Sequence, residues 1–259
     1  MVLSMDRWVG KVAIVTGASS GIGAAIANAL VEKGLTVLGI ARRSERIEES
    51  AKLLSNKQGK LHAIKADLTK EEDILKAFKW AKDNLEPVHI LINNAGRGAK
   101  ANLTEGETRQ WKKVFDLNVL GLSMATREAV KVMKENQING HIIHMNSVAG
   151  HQVLNFRGPS VYCASKFAVT ALTETLRQEL NQQGLKIKVT SVSPGMVESE
   201  MTNLHPNLTP EMKAVYEKMP FLKSEDIADA VVYALSTPEH VQIPELTIKP
   251  VGEKINDCV

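Results

Sequence analysis

Six short apolar runs, at residues 12–16, 36–41, 61–65, 88–93, 141–147 and 187–193, recur along the whole chain. They are rich in Val, Ile and Leu and too short to be helices, so they read as strands. Between them lie longer segments with apolar residues at helical spacing. Examples are Ala24, Ile26, Ala27, Leu30 and Val31, and then Phe167, Val169, Ala171, Leu172, Leu176 and Leu180. The strands show little polar alternation, as expected of a parallel sheet covered on both faces. This order predicts an α/β fold: a doubly wound parallel sheet of the Rossmann type.

The 259 residues form one expected domain, 1–259, with no Pro- or Ser-rich linker and no internal repeat. The rhythm breaks at 196–222, which holds Pro206, Pro210 and Pro220. Four of the nine methionines fall there, with Tyr216 and Phe221. Such an excursion reads as a substrate loop with an adaptable apolar lining. Two short surface helices packing their own small core are the alternative.

Composition removes several classes of partner. Aromatics make up 4% of the chain and the formal charge is +3, so neither a base-stacking surface nor a strong basic footprint is present for nucleic acid. No apolar run approaches the ~18 residues of a membrane span. Residues 1–10 carry Asp6, Arg7 and Trp8 and lack a signal-peptide core, and Cys258 stands too near the end for prenylation. With two cysteines, Cys163 and Cys258, and no disulfide pattern, a soluble protein of the cytoplasm is expected.

The first strand runs into Thr16-Gly17-Ala18-Ser19-Ser20-Gly21-Ile22-Gly23, and a helix follows. Glycines 17, 21 and 23 permit a tight turn and close approach of a pyrophosphate to the free N–H groups of the helix start. Its place after the first strand of an alternating chain makes this a dinucleotide site. The end of the second strand selects the dinucleotide. An NAD enzyme places a carboxylate there, for the ribose 2′-hydroxyl. This chain has Ala41 and then Arg42 and Arg43. Guanidinium matches phosphate oxygens, so NADP(H) is the expected cofactor.

A redox site on the same sheet is read from Ser147, Tyr162 and Lys166. Tyr162 and Lys166 are i and i+4 on one helix face. A neighbouring ammonium and an oxidised nicotinamide both favour phenolate and lower the phenol pKa. The phenol can then exchange a proton with a carbonyl or alcohol oxygen. Ser147, placed at the end of the fifth strand, can polarise that oxygen.

The TGxxxGxG spacing, followed in order by Asp67-Leu68, Asn93-Asn94-Ala95-Gly96, Asn118-Val119, Ser147, Tyr162-Cys163-Ala164-Ser165-Lys166 and Pro194-Gly195, resembles the short-chain dehydrogenase/reductase family over nearly the whole chain. The phrases at 172–180 and 235–238 are similar to those of vertebrate members acting on hydroxysteroids and of insect farnesol dehydrogenases. The resemblance implies that Lys166 also grips the nicotinamide ribose and that Asn118 supports a water-mediated proton relay. It places Asp67 and Leu68 at the adenine, Asn94, Ala95 and Gly96 at the adenosine ribose, and Pro194, Gly195 and Val197 at the nicotinamide. Ser199 stands where the family has threonine. A homodimer or homotetramer is implied, pairing helices near 107–133 and 162–181.

Other residues are less specific. His141 and His144 lie three apart on a strand, so they face opposite sides and cannot share a metal; no metal site is expected. His151 could reach substrate or face solvent. Cys163 could be redox-sensitive or an inert buried thiol. Asn155, Phe156 and Arg157 could wall the pocket or form a plain loop.

The expected activity is NADP-dependent hydride transfer to or from a carbonyl or alcohol of a hydrophobic substrate, an isoprenoid alcohol or aldehyde such as farnesol, or a steroid ketone. A sugar-nucleotide isomerase or dehydratase is disfavoured because only about 65 residues follow Pro194. A non-catalytic NADP sensor would have lost Ser147, Tyr162 or Lys166.

Overall fold

A computed structural model describes residues 3–99, 101–154, 160–200 and 219–253. Its seven strands are β1 (Val12–Thr16), β2 (Thr36–Ala41), β3 (Lys60–Lys65), β4 (Val88–Asn93), β5 (His141–Met145), β6 (Lys188–Pro194) and β7 (Glu245–Ile248). They form one parallel sheet in the order β3-β2-β1-β4-β5-β6-β7. The doubly wound fold expected from the apolar runs is thus present, with a seventh strand at the edge that those runs did not reveal.

Seven α-helices are described: α1 (Gly21–Glu32), α2 (Ser44–Leu53), α3 (Glu71–Asn84), α4 (Thr108–Phe115), α5 (Leu122–Glu135), α6 (Ser160–Gln182) and α7 (Ser224–Ser236). Alternate strand residues feed two cores, because successive side chains leave a strand on opposite faces. Ala13, Val15, Ile90 and Ile92 pack with Ile26 and Leu30 of α1 and Ile227 and Val231 of α7. Val12, Ile14, Val88 and Leu91 pack with Ile74 and Phe78 of α3 and Ala125 and Ala129 of α5. The central strands β1 and β4 are therefore apolar on both sides.

Strand order reverses between β1 and β4, and such a sheet opens a crevice at the carboxyl ends of the two strands. Thr16, the last residue of β1, stitches that edge together. Its Oγ1 accepts the N–H groups of Asn94 and Ala95 at 3.0 Å each, and its carbonyl accepts from Asn94 Nδ2 at 2.9 Å. At the opposite edge Lys188 Nζ donates to Thr237 Oγ1 at 2.6 Å, and Trp8 Nε1 to the Leu235 carbonyl at 2.9 Å. The Trp8 bond satisfies a carbonyl at the end of α7, and the Lys188 bond holds the hydroxyl of the residue just past it.

Candidate active site

The glycine turn lies at the crevice. Gly17 and Gly21 have φ of +69° and +53°, the left-handed region that favours glycine. A Cβ on Gly17 would come within 2.9 Å of the Ala95 Cα, and one on Gly23 would overlap Asn94 Nδ2 and the Gly17 carbonyl. Glycine here lets the β1 turn, α1 and the β4 loop close on one another. Ser20 caps α1 without using its side chain in a cap bond, and the first turn of α1 holds no acidic residue. The unpaired N–H groups of that turn suit an anion such as a pyrophosphate. Ser19, Ser20 and Ile22 are partly exposed on the same turn.

Arg43 is the residue before α2. It donates to Ser20 Oγ at 3.1 Å and to Glu200 Oε2 at 2.7 Å. Arg46, one turn into the helix, donates to Glu200 Oε1 at 2.5 Å. Neither Arg46 nor Glu200 was among the residues expected from sequence; they stand 154 positions apart. Arg42 acts electrostatically on Asp67. Burial pushes the Asp67 carboxyl up, but hydrogen bonds from Thr69 and the charges of Arg42 and Lys70 outweigh it and hold it below the usual range. Leu68 is buried in the core beside Ile74, so its side chain serves packing.

Ser147 does not end the fifth strand. β5 stops at Met145, and Ser147 caps the 3₁₀ turn Val148–Gly150, its Oγ accepting from Ala149 N at 3.1 Å. Asn146 Nδ2 donates to Thr170 Oγ1 at 2.8 Å, and Thr170 Oγ1 donates to the Gly150 carbonyl at 2.9 Å. This pins the turn to α6, and with it Ser147, whose hydroxyl hydrogen-bonds the Tyr162 phenol. Asn146 and Thr170 had no motif to announce them.

Lys166 is buried and its Nζ lies 5.7 Å from the Tyr162 ring centroid. Tyr162 departs from expectation: burial pushes its pKa up to about 12, against the lowering contributed by the Ser147 hydrogen bond. Burial also lowers Lys166 to about 8. Desolvation is thus the largest cause of both shifts. Cys163, beside the tyrosine, is a free buried thiol.

Asn118 lies in a π-helical stretch, Asp116–Gly121, between α4 and α5. Such stretches are frequent at functional sites. Its Oδ1 accepts from Arg97 N at 2.9 Å, and its Nδ2 donates to the Arg97 carbonyl and to Ser165 Oγ, both at 3.0 Å. It thus ties the β4 loop, next to Gly96, to the helix that carries Tyr162 and Lys166.

At the end of β6, Pro194 leads into Gly195, against which the Glu253 carboxylate packs. That buried carboxylate accepts the Met196 N–H at 2.8 Å and is another residue not foreseen. Val197 is buried and pairs with Leu222, joining the two ends of the expected substrate loop. Ser199 lies against the glycine turn, 3.6 Å from a Cβ built on Gly21. Residues 201–218 of that loop, and Asn155, Phe156 and Arg157, lie outside the described residues.

The histidines have structural partners. His141 bonds Thr190 Oγ1 at 2.8 Å, and His144 bonds Thr126 and Thr173 at 3.2 and 2.9 Å. His151 is solvent-exposed, bonds Ser193 Oγ at 3.0 Å and lies 3.4 Å from Glu245.

The sequence pattern of the short chain dehydrogenases matches residues 11–208. A farnesol dehydrogenase of Aedes aegypti is 49% identical over 96% of this chain and 100% of its own. Dehydrogenase/reductase SDR family member 11 of Homo sapiens is 47% identical over 95% and 96%. Among solved structures, an alcohol dehydrogenase from Thermococcus sibiricus complexed with 5-hydroxy-NADP superposes with a TM-score of 0.82 at 26% identity, covering 94% of this chain and 98% of that one.

Proposed function

Since the chain belongs to the short chain dehydrogenase family, we propose that it is an NADP(H)-dependent alcohol dehydrogenase and carbonyl reductase acting on a hydrophobic substrate, an isoprenoid alcohol or aldehyde of the farnesol type. The observation that carries this reading is the convergence of Ser147, Tyr162 and Lys166, with Lys166 next to Gly96 on the loop that packs against the glycine turn. The 49% identity to a farnesol dehydrogenase over the whole of that protein supports the substrate class. Steroid ketones are a second class of the same apolar character.

The residues present fit a nicotinamide dinucleotide. Gly17, Ser19, Ser20, Gly21, Ile22 and Gly23 would hold its pyrophosphate, and Arg42 and Arg43 a 2′-phosphate. Asp67 and the Leu68 backbone would flank adenine, and Asn94, Ala95 and Gly96 the adenosine ribose. Lys166 would hold the second ribose, and Pro194, Gly195, Val197 and Ser199 the carboxamide end. When bound, the cofactor supplies or accepts the hydride.

Tyr162 is the acid/base. Its phenol, pushed up to about 12 by burial, is protonated at neutral pH and so carries the proton that the oxygen of a carbonyl undergoing reduction takes up. Ser147 donates to the same oxygen as charge develops on it. Lys166 brings positive charge close to the phenol, and Asn118 holds the β4 loop against α6. Self-association is proposed through α4, the π-helical stretch and α6, where Phe115, Leu120 and Phe167 are exposed apolar side chains. Free Cys163 suits a reducing compartment such as the cytoplasm.

The test follows nicotinamide absorbance with NADPH or NADH and a panel of farnesal, steroid ketones and small carbonyls. NADPH with farnesal gives the highest kcat/KM on this reading. Tyr162→Phe lowers kcat by about 10²–10⁴. Full activity in that variant, or far better use of NADH, overturns the assignment.

A further inference from the structure

The Ala41-Arg42-Arg43 stretch lacks the carboxylate of an NAD site, yet the fold brings a carboxylate there from elsewhere. Glu200 follows β6, in the segment that passes the glycine turn at Ser199, and reaches across to α2. One of its oxygens takes Arg43 at 2.7 Å and the other takes Arg46 at 2.5 Å, while the same Arg43 nitrogen donates to Ser20 Oγ at 3.1 Å. Two guanidiniums converging on one oxyanion, one of them also bonded to the Ser20 hydroxyl, form a phosphate-type seat. We propose that Glu200 fills, as an internal carboxylate, the seat that Arg43 and Arg46 offer to the cofactor 2′-phosphate, and so sets how sharply the enzyme separates NADP(H) from NAD(H). This inference rests on the reading of Arg43 as a phosphate ligand and adds Arg46 and Glu200 to it.

The charges explain the effect. The two arginines carry +2 and Glu200 carries −1. A 2′-phosphate must displace that carboxylate or share the arginines with it, whereas the ribose hydroxyl of NAD meets no like charge. Hydrogen bonds from Arg43 and then Arg46, with their charges, hold the Glu200 carboxyl down to about 2, so it is ionised at neutral pH. The side chain is 51% exposed and both arginines are more than 40% exposed. Exposed ion pairs are weak, so a dianion can open this one. Glu200 therefore blunts the preference for phosphate and does not abolish it.

The full chain is titrated calorimetrically with 2′,5′-ADP and with 5′-AMP, in the wild type and in Glu200→Gln and Arg46→Gln. Glu200→Gln tightens 2′,5′-ADP by about three- to tenfold and leaves 5′-AMP within about twofold. Arg46→Gln weakens 2′,5′-ADP by about tenfold with the same indifference of 5′-AMP. An unchanged or weakened ratio in Glu200→Gln, alongside a wild type that prefers 2′,5′-ADP, overturns the role of Glu200 and leaves the NADP reading standing. Equal binding of the two nucleotides in both wild type and Glu200→Gln overturns the NADP reading itself. A preference for 2′,5′-ADP that emerges only in Glu200→Gln supports the inference, because the seat is then unmasked by removing the charge.

Discussion

Lys166 Nζ donates a 2.7 Å hydrogen bond to the Met145 carbonyl, the last of β5. The bond joins the end of the strand to α6, and Ser147 and Tyr162 lie on either side of the joint. It is made by a buried ammonium whose pKa burial lowers to about 8 from 10.5. Below about pH 8 the folded and unfolded chains both carry this proton, and the cost of burying the charge is felt in full. Between about 8 and 10.5 the unfolded chain binds a proton that the folded chain lacks, so this group makes stability rise with pH. Urea unfolding of wild type and Lys166→Met from pH 7 to 10.5 isolates the effect, because Lys188, also lowered to about 8, is common to both. The wild type gains on the variant across that window, by at most about 1.4 kcal/mol per pH unit for one proton. Parallel profiles would show that Lys166 titrates normally.

Gly23 and Gly98 make a controlled pair. A Cβ on Gly23 collides with the Gly17 carbonyl and Asn94 Nδ2, while one on Gly98 has nothing within 4 Å. Backbone cannot yield as a flexible side chain does, so Gly23→Ala forces the turn and the β4 loop apart. The expected loss is about 1–3 kcal/mol of stability, together with weaker dinucleotide binding. Gly98→Ala changes neither. Chemical denaturation and nucleotide titration of the two variants decide the point, and equal behaviour of the pair would remove the argument for close approach.

The repeating strand–helix order was legible because core strands such as β1 and β4 are apolar on both faces. Strand β7 was not, since Glu245–Ile248 is a four-residue edge strand that opens on a glutamate and has no apolar run. Thr16, Asn93 and Pro194 end β1, β4 and β6 at the carboxyl edge of the sheet, whereas Ser147 lies two residues beyond β5. What spacing could not convey is long-range convergence. Arg46 meets Glu200 because the segment after β6 passes the glycine turn at Ser199, and Met196 meets Glu253 because the chain after β7 comes back to the end of β6. The direction of the Tyr162 shift was illegible for a related reason: proximity of Lys166 is written in the i, i+4 spacing, and the burial that raises the phenol is not.

Asn118 is 2% exposed and uses both side-chain atoms on Arg97 and Ser165. Truncation leaves the Arg97 N–H and carbonyl without these partners. Asn118→Ala therefore costs about 1–3 kcal/mol, a partly buried donor left unmatched being expensive. Denaturant midpoints measure it. If the residue serves only a relay, stability is unchanged while turnover falls, and the tie between the β4 loop and α6 is then of no consequence.

His144 sits in a chain with one consistent direction of donation. Asn93 Nδ2 donates to Thr126 Oγ1, which donates to His144 Nε2; His144 Nδ1–H then donates to Thr173 Oγ1, and Thr173 to the Val169 carbonyl. A second ring proton has no acceptor in that chain. Burial, assisted by the charge of Lys166, lowers the His144 pKa to about 3. As pH falls below about 6.5 the unfolded chain takes up a proton at this histidine and the folded chain does not, so stability declines from there toward pH 3. His144→Gln keeps a donor and an acceptor but cannot titrate. At pH 7.5 it is less stable than wild type by about 1–3 kcal/mol through imperfect replacement of the bonds. That gap narrows as the pH is lowered, by at most about 1.4 kcal/mol per unit. Urea unfolding from pH 7.5 to 4.5 follows it, with His141 titrating identically in both proteins. A gap that stays constant would mean that the folded chain takes up a proton at His144 as readily as the unfolded chain does.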